Sequence, residues 1–320
     1  MFIKYPLENT FFMAQTPIKY LDPVIVSKLK HIEIKAKLIV EGFITGLHKS
    51  PYHGFSVEFA EHRPYNVGES LRNIDWKVYG KTDRLFSKRY EEETNLRCQV
   101  VLDVSDSMRY PTEGISKLEY GSYLAAALQY LMVQQRDAAG MTLFDDDLRY
   151  YAPAKSRYSY LMPIFAKLEE VVSQKDYFTR RTATAKVLHQ VAMKFHRRSF
   201  VVLITDLFGQ EAHSDELFKA LQHLRHEKHE VLVFHLMDQK TEQNFDFPNR
   251  PLILKDLETG EKIEVQPNQI RDEYRQLVTS NKARFKQRCY EYGMDFVEVD
   301  IAKPYDKVLT DYLVKRRKIK

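Results

Sequence analysis

Cysteine is nearly absent: Cys98 and Cys289 are the only two, far apart and outside any C-x-x-C spacing. That excludes a cysteine-built zinc cage and argues against a disulfide-dense secreted fold. Long apolar runs are missing as well, and none approaches the roughly 18 to 20 residues needed to span a bilayer. The first twenty residues are broken by Lys4, Pro6, Glu8 and Pro17, so they lack the apolar centre of a signal peptide. Neither sign of charge dominates, with 49 Lys and Arg against 44 Asp and Glu for a net charge of +5 over 320 residues. No basic block stands out, so no specific nucleic-acid partner is expected. A cytoplasmic address in a bacterium is the simplest expectation.

What is present is patterned apolar sequence, 44% of the chain, which is ample for one large or two modest cores. Residues 1–97 read as an irregular accessory segment. Within it, 28–42 has Leu29, Ile32, Ala36 and Ile39 at helical intervals, and short strands are expected near 55–60 and 85–89. From 98 to 320 the pattern becomes α/β. Expected strands are 99–103, 141–144, 148–152, 200–205, 231–236 and 295–299, with a hairpin inserted near 252–265. Expected helices are 117–135, 160–172, 183–197, one carrying Leu217, Ala220, Leu221 and Leu224, then 270–292 and one after Pro304. Strands alternating with helices imply a mostly parallel central sheet flanked by helices.

Two of the expected strands end in oxygen-rich turns, Asp103-Val-Ser105-Asp-Ser107 and Thr205-Asp206. In open parallel sheets, ligands gather beyond the C-terminal strand ends. Alternate residues 103, 105 and 107 present one carboxylate and two hydroxyls, hard donors suited to Mg²⁺ or Mn²⁺ with water completing the shell. The competing reading is a polar turn whose Asp and Ser cap the next helix. The buried strand before the triplet and the second strand ending in Asp206 favour the metal site.

Asp103-x-Ser105-x-Ser107 resembles the metal-ion-dependent adhesion site of von Willebrand factor A domains. That resemblance implies two further ligands, a Thr on a middle loop and an Asp after a later strand. Thr182 and Asp206 are the best matches, with Thr179 or Thr184 as alternatives because Arg181 replaces the family's usual glycine. It also implies that a partner's acidic residue completes the metal shell. A narrower resemblance rests on Gly54-Phe-Ser-Val-Glu58-Phe59, Arg63-Pro-Tyr65, Gly68-Glu-Ser-Leu-Arg72-Asn-Ile-Asp75-Trp76, the Asp103 motif and the hairpin 256–261, in that order. The ordered set is similar to domain-of-unknown-function family 58, whose members pair an N-terminal segment with a von Willebrand factor A-like domain. That resemblance implies a MoxR-type AAA+ ATPase as partner.

The expected function is therefore a metal-dependent protein-interaction module. No acid–base pair or activated nucleophile is evident, so no enzyme is expected. The alternatives are a metal-assisted phosphohydrolase using Asp103 and Asp206, or a weak nucleic-acid binder. Other signals take plainer readings. Glu58, Arg63, Arg72 and Asp75 around the sole tryptophan, Trp76, read as ion pairs that pin an irregular segment. His223, His226 and His229 read as a solvated helix face, and 145–147 as a solvated acidic turn. The stretch 42–50 lacks the adjacent Gly-Lys of a phosphate loop.

Overall fold

The computed structural model describes residues 22–49, 62–64, 79–80, 83, 86–88, 96–111, 114–174, 184–206, 214–257 and 260–319. The expected strand near 55–60, the Trp76 cluster apart from Arg63, and Thr179 and Thr182 lie outside them. Helix α1 (Pro23–Ser27) leads into α2 (Ile32–Lys49), and the short strands β1 (His62–Pro64) and β2 (Phe86–Lys88) pair antiparallel with each other. Helix α2 starts later than the periodicity suggests and continues through Gly42, which is buried within it.

The central sheet is built from β3 (Arg97–Asp103), β4 (Ala138–Phe144), β5 (Leu148–Lys155), β6 (Phe200–Thr205), β7 (Glu230–Met237) and β10 (Asp295–Asp300). Their order is β10-β7-β6-β3-β4-β5. Every neighbouring pair is parallel except β4 with β5, which form the expected hairpin. The inserted hairpin, β8 (Leu252–Lys255) with β9 (Lys262–Val265), forms a separate two-stranded sheet.

Alternation along the strands divides the core in two. Val100, Leu102, Val202, Ile204, Leu232 and Phe234 pack with residues of α2, α3 (Lys117–Gln134), α4 (Leu161–Ser173) and α8 (Asp306–Ile319). Val101, Val201, Leu203, Val231 and Val233 pack with α5 (Thr184–Ala192), α6 (Ser214–His226) and α7 (Pro267–Glu291). Burial on both faces explains why these strands read as continuous apolar runs. The result is an α/β fold with a mostly parallel sheet between helical layers.

Helix α3 packs on the sheet through Gly121. A Cβ at Gly121 would stand 3.1 Å from methyl groups of both Leu102 and Leu236, so the absent side chain sets the approach. The N-terminal region shares this layer. Ile32, Ala36, Ile39 and Phe43 join the same core, and the backbone N–H of Ile32 donates to Glu169 at 2.7 Å.

Two readings of polar segments need correction. His229 lies beyond α6, fully buried, where its Nδ1 accepts from the Ser199 N–H at 3.2 Å. Burial holds its pKa below the ordinary histidine value. Asp145 is likewise buried instead of solvated, held by Arg149 Nε at 2.6 and 2.8 Å. In both cases a long-range packing surface or a partner four residues away supplies what water would have supplied.

Candidate functional site

From β3 the chain runs to β4 and β5 on one side, then returns to place β6, β7 and β10 on the other. The direction of winding therefore reverses between β3 and β6, the position at which open α/β sheets gather ligands. Asp103 ends β3, Thr205 ends β6 and Asp206 follows it, so two segments about a hundred residues apart deliver their polar residues to one place.

Asp103 is fully buried, and both of its carboxylate oxygens are engaged. Oδ1 accepts from the Ser105 N–H at 3.0 Å, and Oδ2 accepts from the Thr205 hydroxyl at 2.7 Å. The chain then turns through a 3₁₀ segment, Asp106–Arg109. This turn sets the Ser105 and Ser107 hydroxyls 3.1 Å apart. Neither serine caps α3. Ser116 does so, accepting from Glu119 N–H at 3.2 Å while Glu119 accepts from Ser116 N–H at 2.9 Å in a reciprocal capping box. The capping alternative for the triplet is thus served elsewhere.

The sequence reading missed the group that governs the charge here. Lys117, the first residue of α3, is 1% exposed, and its ammonium donates to Asp206 Oδ2 at 2.8 Å and to Glu242 Oε1 at 2.5 Å. A cation at a helix N-terminus opposes the helix dipole, so the two carboxylates must outweigh that penalty. That mismatch, a lysine directly after a capping serine, was the available signal. Glu242 gave none: it sits in a short π-helical turn, Gln239–Gln243, after β7. The turn is fixed over α3 by Tyr110, whose hydroxyl donates to Thr241 at 2.6 Å, and by Glu242 Oε2 accepting from Asp238 N–H at 2.8 Å. Beneath it, His235 Nε2–H donates to the Asp206 carbonyl at 2.6 Å.

The electrostatics follow from burial and proximity. Burial, reinforced by the negative charge of Asp206, pushes Asp103 up to about 7 against the opposing hydrogen bonds from Ser105 and Thr205. Burial alone would lower Lys117, but Asp206 and Glu242 hold it above the ordinary lysine value. Burial also raises Glu242 despite its contact with Lys117, with Asp206 adding to the effect. His235 is pushed down to about 4 by burial and stays neutral. Lys117 bonds Asp206 and Glu242, whereas Asp103 is held by neutral donors and feels the charge of Asp206.

Of the residues singled out by sequence, Asp103, Ser105, Ser107 and Asp206 come together at these strand ends. Thr184, one of the alternatives to Thr182, is buried at the start of α5. The donors assembled are oxygens only, two carboxylates with hydroxyls, which suits a hard divalent cation. Among the described residues no three His, Cys, Asp or Glu side chains form a metal-binding group, so any cation here depends on the hydroxyls.

The model of the family described as "Protein of unknown function DUF58" matches residues 61–284, well over half of the chain. Uncharacterized proteins of Mycobacterium bovis and Mycobacterium tuberculosis are 22% identical over 271 residues, covering 82% of this chain and 80% of theirs. Similar solved structures include an aerotolerance-related membrane protein from Bacteroides fragilis, with a TM-score of 0.43 at 18% identity over 69% of this chain and 99% of that one. Another is the conserved hypothetical protein BatB from Bacteroides thetaiotaomicron, with a TM-score of 0.42 at 16% identity over 70% of this chain and 99% of that one. Among the described residues of the present protein, no helix is long and apolar enough to cross a membrane. On the extent of the family match, the chain belongs to the DUF58 family.

Proposed function

We propose that this protein is a metal-dependent protein-interaction module of the von Willebrand factor A type. The observation that carries the reading is the convergence of the buried Asp103, held by neutral donors, with Asp206 and the paired hydroxyls of Ser105 and Ser107 at the ends of β3 and β6. Oxygen donors of this kind favour Mg²⁺ or Mn²⁺. Asp103, Ser105, Ser107 and Asp206 would hold the ion with a threonine, Thr182, Thr179 or Thr184. Bound there, the ion would supply a Lewis-acidic position for a partner's carboxylate. The chain's own contribution is to fix a donor: Thr205 and the Ser105 N–H orient Asp103.

The proposed partner, suggested by the resemblance to family 58, is a MoxR-type AAA+ ATPase on the cytoplasmic side. The phosphohydrolase alternative is the weaker one. Asp103 already accepts a hydrogen bond at each oxygen, which suits a positioned ligand better than an attacking nucleophile. Isothermal calorimetry with Mn²⁺ tests the site. A binding heat that Asp103→Ala abolishes is expected, and a heat unchanged in that variant would overturn the metal site. Capture of the ATPase that persists in EDTA would overturn metal-dependent recognition.

A further inference from the structure

We propose that Lys117 is a tethered competitor for the metal, a built-in cation that holds the Asp206 side of the site and sets how weakly the site binds a divalent ion. The inference rests on the metal-site reading above and deepens it. Lys117 is buried, and its ammonium is within hydrogen-bond distance of Asp206, one of the oxygen donors, and of Glu242, which is not one of them. An ion bound between Asp103 and Asp206 would meet the ammonium at short range with little water between them, where like charges repel strongly.

Glu242 acts in the opposite direction. It draws part of the lysine's charge away from Asp206 and is itself anchored by the Asp238 N–H, so the turn after β7 governs how firmly Lys117 grips the site. Removing the lysine raises the negative charge left for a metal, and removing the charge of Glu242 lowers it. A purely structural role predicts something else. If Lys117 only positioned Asp206 for the ion, losing it would weaken metal binding.

The test is Mn²⁺ binding by calorimetry on the full chain, with circular dichroism to verify folding. Lys117→Met is expected to tighten Mn²⁺ binding at least tenfold, about 1.4 kcal/mol. Glu242→Gln is expected to weaken it by at least threefold. Should Lys117→Met fail to fold, the double variant Lys117→Met/Glu242→Gln carries the test, since it removes one charge of each sign. It should bind at least tenfold more tightly than Glu242→Gln alone. Wild-type binding that Lys117→Met leaves unchanged or weakens would overturn this inference and spare the metal site. Absence of Asp103-dependent Mn²⁺ binding in wild type and in all the variants would overturn both.

Discussion

Two acidic clusters stand at the same end of the sheet, one after β3 and β6 and the other in the turn between β4 and β5, and they are neutralised in opposite ways. In the β4–β5 turn, Asp145 and Asp146 are met by Arg149 from the adjoining strand, at 2.6 and 2.5 Å, and Asp147 faces Lys186 at 3.5 Å. Apart from Lys186, the partners are four residues away or fewer, and Arg149 is 40% exposed. At the ends of β3 and β6, Asp206 is met by Lys117 from 89 positions away, and that lysine is shared with Glu242, 125 positions away. The first cluster is met mostly from the adjoining strand, by side chains that reach water. The second is tied together away from water, through three separate elements. The acidic turn draws on an arginine that local sequence supplies, whereas the buried acids depend on a lysine that only the fold delivers.

The sharpest way to break this contrast is Lys117→Met in metal-free protein. Loss of one member of a buried ion pair strands the others, so urea denaturation should show a loss of about 3 to 5 kcal/mol. A loss below about 1 kcal/mol would mean that the Lys117 cluster is as well solvated as the turn.

Acidity provides the next largest effect. His235 is neutral with its pKa pushed down from 6.5 to about 4, so between those values the unfolded chain binds the proton that the folded chain refuses. Its contribution is fully present above pH 6.5 and is lost as the pH falls toward 4. His235→Gln should flatten the stability profile across that window, and an unaltered profile would place the histidine in contact with solvent.

Arg149→Ala should cost less than the lysine variant, about 1 to 2 kcal/mol. Asp145 is buried but keeps the Asp147 N–H as a donor at 3.1 Å, and the arginine lost is partly exposed. A loss matching that of Lys117→Met would erase the distinction between the two clusters. Smallest of all, Lys186→Ala should leave the urea midpoint where it is, because both partners of the Lys186–Asp147 pair are more than half exposed. Raising the salt concentration to 1 M should mimic this loss without touching the Lys117 contacts.

Much of the architecture was legible from local pattern. The apolar run ending at Asp103 became β3, and the stripe of Tyr120, Leu124, Ala127 and Leu131 lies in α3, which is buried all round from Tyr120 to Met132. Period and burial are linked through backbone geometry, so they can be read residue by residue. Pairing is another matter. Asp145 read as solvated because its arginine lies across a strand turn, and His229 read as helical surface because Ser199 and Ala192, its neighbours, come from other segments.

The candidate site divides along the same line. Sequence alone determined that acids and hydroxyls stand at the ends of two buried strands, because strand identity and alternation are local properties. It also placed those ends in an α/β sheet where ligands collect. Only the tertiary structure decided that β3 and β6 are neighbours at the reversal of winding, and that Asp103 therefore feels the charge of Asp206. It alone brought Lys117 and Glu242 to the same point. Electrostatic interaction depends on distance through space and on the exclusion of water, and neither is encoded in the spacing of residues along the chain.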